Sequence, residues 1–162
     1  MTRHPITTTT TGSRAWSLYF RAQYRLLRVV DPILRWWWHR SLPGLGPIVD
    51  LHIPGRRTGR RYRTLLTLLA IDDRWYVGHP NGDAGWTRNL AAAGRATLVA
   101  SDGSTRDVAP IRLYGGPERE AVIRATWSQH PLPGNLVYAL ARRHVRATGV
   151  YLRLVPREPP SA

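Results

Sequence analysis

Two short segments concentrate the residues that could do chemistry. The first is Gly55-Arg56-Arg57-Thr58-Gly59-Arg60-Arg61-Tyr62-Arg63, a glycine-bracketed turn carrying five arginines and a hydroxyl. Guanidinium forks, backbone N–H groups and a threonine side chain in one turn can hold a phosphate or a carboxylate. A solvated basic hairpin has the same composition. The spacing is not that of a P-loop or a dinucleotide fingerprint, so ATP or NAD held by a standard motif is unsupported. The second segment is Gly78-His79-Pro80-Asn81-Gly82-Asp83-Ala84-Gly85-Trp86-Thr87-Arg88-Asn89-Leu90, a polar turn that opens a helix. A helix N-terminus offers free N–H donors to an anion or a polar ring edge. Trp86 can stack on a planar ring with Asn89 one turn later on the same side, or it can cap the core.

Other chemistries lack their residues. There is no cysteine, which excludes a disulfide framework, thiolate metal sites and a cysteine nucleophile. His4, His39, His52, His130 and His144 show no His-x-x-x-His or carboxylate pairing at metal spacing, so no metal site is expected. Acidic residues are few and scattered, against a paired-carboxylate hydrolase. Ser101, Ser104 and Ser128 lack a nucleophile-elbow setting. His79 titrates near neutrality in principle, but a single histidine in a turn is more often an ordinary polar residue.

The elements that must position the two segments are short. Strand-like runs cover Val49–Ile53, Arg63–Ile71, Arg74–Gly78, Ala96–Ala100, Val108–Leu113 and Val150–Val155. Asp72-Asp73 and Asp102-Gly103 read as hairpin turns. Helical patterns cover Trp86–Ala93, Pro117–Gln129 and Asn135–Arg146. Short strands with helices inserted between them suggest an α+β domain built on a small antiparallel barrel. Periodicity leaves the strand order open.

Residues 14–40 form a basic amphipathic helix, with apolar side chains at helical intervals and Arg21, Arg25, Arg28 and Arg35 between them. Pro32 should kink or break it, with Asp31-Pro32 starting a second short helix. Trp36, Trp37 and Trp38 beside Arg40 suit a membrane surface or, alternatively, the core under the helix. Lys and Arg number 24 against 10 Asp and Glu, a formal +14, so the field attracts anions: acidic lipid, nucleic acid or a polyanionic cofactor. The charges are scattered and belong to no nucleic-acid reading module, which disfavours specific nucleic-acid binding. No apolar run is long enough to span a bilayer and no secretory signal is visible, so the reading is cytoplasmic, with peripheral contact to an anionic inner membrane face. The expected organisation is a disordered N-terminus over 1–13, the amphipathic helix over 14–41, one domain over 42–157, and a tail over 158–162.

In order and spacing, the two segments resemble the deazaflavin-dependent nitroreductase and quinone reductase family, which has a split β-barrel fold. The resemblance runs over about residues 45–114, and more faintly to Val155. Its carriers are Gly55 to Gly59, the strand to Leu69, the hairpin Ile71-Asp72-Asp73-Arg74-Trp75-Tyr76-Val77, and Trp86, Asn89 and Leu90. It implies a small antiparallel split β-barrel with an N-terminal amphipathic helix and flanking helices. It further implies hydride transfer from reduced coenzyme F420 to an apolar acceptor such as a quinone, nitroaromatic or enone. Arg56, Arg57 and Thr58 would hold the cofactor's phosphate and acidic tail, with the strand Tyr62, Arg63, Thr64, Leu65, Leu66 and Thr67 along it. Gly78, His79, Pro80 and Asn81, with Gly85, Trp86, Thr87, Arg88 and Asn89, would flank the deazaflavin ring.

The first helix and Tyr138 would border the acceptor pocket, with Tyr138, His79 or solvent as proton donor. The sequence departs from the family at Tyr62, often arginine, and Leu65, often proline; Arg63 could supply the missing guanidinium. The turn before Trp86 is also shortened. Flavin mononucleotide (FMN) is the alternative cofactor. The rival readings are a non-catalytic barrel loaded with FMN, haem or a fatty acid, and a basic membrane-surface adaptor. Either a monomer or a homodimer is compatible.

Overall fold

The computed structural model describes residues 12–40, 47–130 and 132–157. The N-terminal stretch 1–11, most of the loop before the first strand and the tail 158–162 lie outside the described residues. The elements are α1 (Arg14–His39), β1 (Ile48–Pro54), β2 (Arg61–Thr67), β3 (Leu69–Ile71), β4 (Arg74–His79), α2 (Gly85–Ala93), β5 (Ala96–Val99), β6 (Thr105–Leu113), α3 (Gly116–Gln129), α4 (Gly134–Leu140), α5 (Arg142–Thr148) and β7 (Val150–Pro156).

All seven strands join one antiparallel sheet in the order β2-β1-β5-β6-β7-β4-β3. The two terminal strands of that order, β2 and β3, are separated in the chain by Leu68 alone. The sheet must therefore curl until its ends approach, and the chain itself makes the corner. The single Arg63–Ile71 strand expected from sequence is thus two. At the break, the Leu68 N–H extends the β1–β2 ladder by one step, donating to the Pro47 carbonyl at 2.7 Å. The β3–β4 turn places Asp72 and Asp73 at φ +47° and +58°, the left-handed pair that a two-residue hairpin of this twist needs and that aspartate tolerates.

Alternation along the strands sorts two cores onto opposite faces of the sheet. Inside the curl, Val49, Leu51, Ile53, Val77, Ala96, Leu98, Val108, Leu152 and Leu154 pack with Trp86 and Leu90 of α2, which plugs the barrel. On the outer face of β3, β4 and β7, Leu69, Tyr76 and Tyr151 pack against Phe20 of α1, Val122 and Ile123 of α3, and Ala141 and Val145. Glu118 ties α3 to that face by accepting from the Tyr76 hydroxyl and from Arg153, each at 2.9 Å. Gln129 closes the exposed β3 edge by bonding both the N–H and the C=O of Ala70, a strand-like cover for an otherwise open ladder.

Two expectations need correction. Helix α1 runs unbroken through Pro32. The proline removes one backbone donor, but Arg35 bridges the site by pairing with Asp31 at 2.6 Å and by reaching β1. The expected helix Asn135–Arg146 is two, because Ala141 leaves helical angles (φ −83°, ψ 9°) between α4 and α5. That bend lets Ala141, His144 and Val145 all be buried.

Candidate functional site

Strands β2, β1, β5 and β6 place Arg63, His52, Thr97 and Asp107 in one row across their outer face. One position along β1 from that row towards Ile48, on the same face, is Asp50, fully buried. Its Oδ2 accepts from Arg63 Nη2 at 2.7 Å and Nε at 2.9 Å, faces His52 Nε2 at 2.9 Å, and lies 2.7 Å from Arg35 Nη1. Burial alone would raise this carboxyl, but the bonds from Arg35, Arg63 and His52 outweigh it and hold the group below the usual carboxylate range. Oδ1 is buried without a partner. With the Trp38 indole donating to the Ile48 carbonyl at 2.9 Å, this cluster clamps the C-terminal half of α1 to β1. Arg63, which the sequence offers as the guanidinium missing at Tyr62, is half-exposed and pairs with Asp50 here.

The arginine turn sits at the far end of β1. Gly55 donates to the Arg60 carbonyl at 2.8 Å and accepts from the Gly59 N–H at 2.9 Å, which closes the loop. A side chain at Gly55 would collide with the Tyr62 ring lying over it. Arg56, Arg57 and Thr58 are exposed at the tip. On the β1–β5–β6 side of this turn opens a groove of about 630 Å³ lined by His52, Pro54, Gly59, Arg61, Arg95, Thr97, Asp107 and Arg157, among others. Its volume falls within the roughly 300–1,000 Å³ of small-molecule sites. Among the described residues, none of Arg56, Arg57, Arg61, Arg95 and Arg157 makes an ion pair, and Asp107, the acid in the groove, accepts from Thr97 Oγ1 at 2.7 Å. Arg95, Asp107 and Arg157 belong to no motif; the signal that could have found them is their place at or just beyond the ends of the strands expected over Ala96–Ala100, Val108–Leu113 and Val150–Val155. Thr64, Leu65, Leu66 and Thr67 continue β2 away from the groove, half-buried.

The second segment does meet the first. Arg56 Nη1 donates to Asn89 Oδ1 of α2 at 3.4 Å, so the turn and the helix end are neighbours although 33 residues apart. Beyond that contact, most of the segment is internally engaged. Trp86 is buried in the barrel core with its Nε1 unpartnered. Thr87 is buried and donates to Asp83 or the Ala84 carbonyl, while Asp83 takes a bidentate pair from Arg112. Asn81 is a staple: Oδ1 accepts from Ser17 Oγ at 2.8 Å and lies 3.1 Å from His144 Nε2, and Nδ2 donates to the Ser17 carbonyl. Gly78 is covered by the Tyr151 ring, where a β-carbon would clash, and Pro80 is buried. His79 donates through Nδ1 to the Gly82 carbonyl at 3.0 Å, edge-on to Tyr24, and burial holds it below the ordinary histidine value. Gly85 and Arg88 are exposed, and Asn89 is half-buried.

Tyr138 lies under the helices, with its ring 4.4 Å from that of His130 and 5.9 Å from that of Phe20. Burial pushes its hydroxyl far above the tyrosine range. The enclosed cavity it lines with Leu69, Gly78, Pro80, Thr126, His130 and Tyr151 is about 10 Å³, room for one water at most. Among the described residues no group of three His, Cys, Asp or Glu could hold a metal ion, and no helix is long and apolar enough to cross a membrane.

No family model and no curated protein matches this chain. Solved structures do. An F420-H2 dependent reductase, FDR-A, superposes with a TM-score of 0.52 at 19% identity, covering 66% of this chain and 93% of that one. The haem storage protein HutZ from Vibrio cholerae gives 0.53 at 12% identity, covering 80% and 92%. A provisionally assigned pyridoxamine 5'-phosphate oxidase from Listeria innocua gives 0.50 at 10% identity, covering 80% and 94%. The fold is that of a split β-barrel. The split barrel thus accounts for the curled sheet, the plug helix α2 and the helical cover on one half of the outer face, at identities that speak to fold alone.

Proposed function

We propose that this split barrel is an oxidoreductase that binds coenzyme F420 and passes a hydride from its reduced form to an apolar acceptor such as a quinone, nitroaromatic or enone. The observation that carries the reading is the set of unpaired arginines around the Gly55–Gly59 turn, beside a groove of about 630 Å³. Five guanidinium groups without carboxylates repel one another, and a ligand with a phosphate and a carboxylate tail would relieve that repulsion. The anionic end of such a cofactor therefore fits. Arg56, Arg57 and Thr58 would hold its phosphate, and Gly59, Arg61, Arg95 and Arg157 its acidic tail. The likeness to FDR-A supports this choice, and FMN is the alternative cofactor.

The cofactor supplies the redox chemistry when bound, so the chain's own part is to bind, orient and exclude water. Asn89, whose Oδ1 accepts from Arg56, would meet the ring beside the anchored end, with the exposed Gly85 at the start of the same helix. Trp86, Thr87, Asn81 and Gly78 would act from behind by fixing the plug helix and its turn. Burial favours the neutral form of the Tyr138 hydroxyl, which can orient a ligand by donating a hydrogen bond. The test is a fluorescence titration of the purified chain with oxidised coenzyme F420 beside FMN, repeated with Arg57→Ala and Asn89→Ala. Selective saturation, weakened about tenfold by loss of one charge-assisted contact, is expected. No uptake of either cofactor at tens of micromolar would overturn the reading.

A further inference from the structure

Helix α1 has three faces. At about 100° per residue, Phe20, Tyr24 and Trp38 point one way, towards the barrel, where Phe20 and Trp38 are buried. Roughly opposite them Leu18, Ala22, Leu26, Val29, Ile33 and Trp36 fall within a sector of about 80°, and all are exposed: Val29 76%, Ile33 64%, Trp36 55%. Arg14, Arg21, Arg25 and Arg28 occupy the flank beside that stripe, also exposed. At the C-terminal end the Arg40 guanidinium lies over the Trp36 ring, 4.1 Å from its centroid, and the Trp37 indole is half-exposed. Helix α4, which meets the barrel-facing side of α1 where Tyr138 faces Phe20, carries exposed Leu136 and Leu140, with exposed Leu132 before it and exposed Arg142 and Arg143 after it.

We propose that this face docks the protein onto an anionic lipid surface, with α1 lying flat in the headgroup plane and the α4 leucines beside it. A 26-residue helix with a continuous apolar stripe, an arginine flank and indoles at one end has the parts of an interfacial helix: apolar side chains enter the acyl boundary while guanidinium groups meet lipid phosphates. An apolar stripe this long is uncommon on a free surface. A second copy of the chain is the poorer occupant. The only acid on α1 is Asp31, already paired with Arg35, so two α1 stripes packed on each other would oppose arginine rows without a counter-charge. An anionic bilayer supplies that counter-charge. The inference does not depend on the cofactor proposed above.

The experiment is co-sedimentation of the full chain with vesicles of phosphatidylglycerol and phosphatidylcholine, against phosphatidylcholine alone, at low and high salt. Binding to the anionic vesicles, reduced by salt, is expected. The pair Val29→Glu and Ile33→Glu should weaken it by at least about tenfold, with the melting temperature unchanged because both positions are exposed. Arg21→Gln with Arg25→Gln and Arg28→Gln should remove most of the salt-sensitive part and leaves the apolar packing untouched, so it decides the matter if the glutamates unfold the chain. Absence of binding to anionic vesicles, or equal binding by wild type and both variants, overturns the proposal. So does a lipid-free dimer that the Val29→Glu pair dissociates, since the face would then belong to a second copy.

Discussion

Arg35 and Arg63 end on one buried carboxylate, whereas Arg56, Arg57, Arg61, Arg95 and Arg157, around the turn and groove at the other end of β1, end on none among the described residues. Asp50 is fully buried, and a buried carboxylate must be compensated by cations and hydrogen bonds. Arg35 from α1 and Arg63 from β2 meet that need and dock a helix in the process. The second group crowds like charges around a turn and an open groove where, among the described residues, Asp107 is the one acid in the lining and none of the five makes an ion pair. The same side chain is thus a structural clasp in one place and an idle charge a few residues away. His52 belongs to both, since it contacts Asp50 and lines the groove.

The largest effect expected from this contrast is at Asp50. Asp50→Ala leaves Arg35 only Asp31 and Arg63 only solvent, and should cost about 2 kcal/mol of unfolding free energy in a urea titration, below the roughly 3–5 kcal/mol of a fully buried pair. A loss below about 1 kcal/mol would mean that the cluster behaves as a surface pair, and the contrast would fail. Arg57→Ala should do the reverse, with stability unchanged within about 0.5 kcal/mol while cofactor affinity falls. Smaller still, Arg95→Gln and Arg157→Gln should each raise stability by a few tenths of a kcal/mol at low salt, an increment that disappears in 0.5 M salt as screening sets in. A loss of stability from either would show that these arginines have structural partners.

How far these regions were legible in sequence follows from the range of the interactions that make them. Period-two runs and the Asp72-Asp73 pair place most strands because alternation and turn geometry are local. The corner at Leu68 is invisible, since it arises from closure between the two ends of a seven-stranded order. The arginine turn stands out by composition, and its contact with Asn89 is a tertiary confirmation that the two segments are neighbours. The partner of Arg63 is hidden for the opposite reason. Nothing local shows that Asp50, 13 residues earlier, will be buried opposite it. Trp86 carries both expectations from the start, and burial of its ring among Leu51, Val77 and Leu90 decides for the core.

The last and smallest prediction separates two parts of the molecule by pH. His144, His130 and His79 lie under or beside the helices that cover β4 and β7, and burial holds each below the ordinary histidine value. The unfolded chain therefore takes up protons that the folded chain refuses as pH falls below about 6.5. Their contribution is complete above that pH and is lost below it. Asp50 is also held low, with Asp83 and Glu118 adding to the effect, but its unfolded reference is near 3.9, so its stabilisation is complete above that and fails only as pH drops further. Melting temperature against pH should then fall in two steps. His144→Gln, which keeps a donor near Asn81 and Thr148, should flatten the upper step alone, and Asp50→Asn should lower the plateau and shrink the lower step alone. If His144→Gln leaves the upper step unchanged, the staple through Asn81 to α1 does not depend on a neutral imidazole, and the helical side of the barrel is pH-sensitive through His79 or His130 instead.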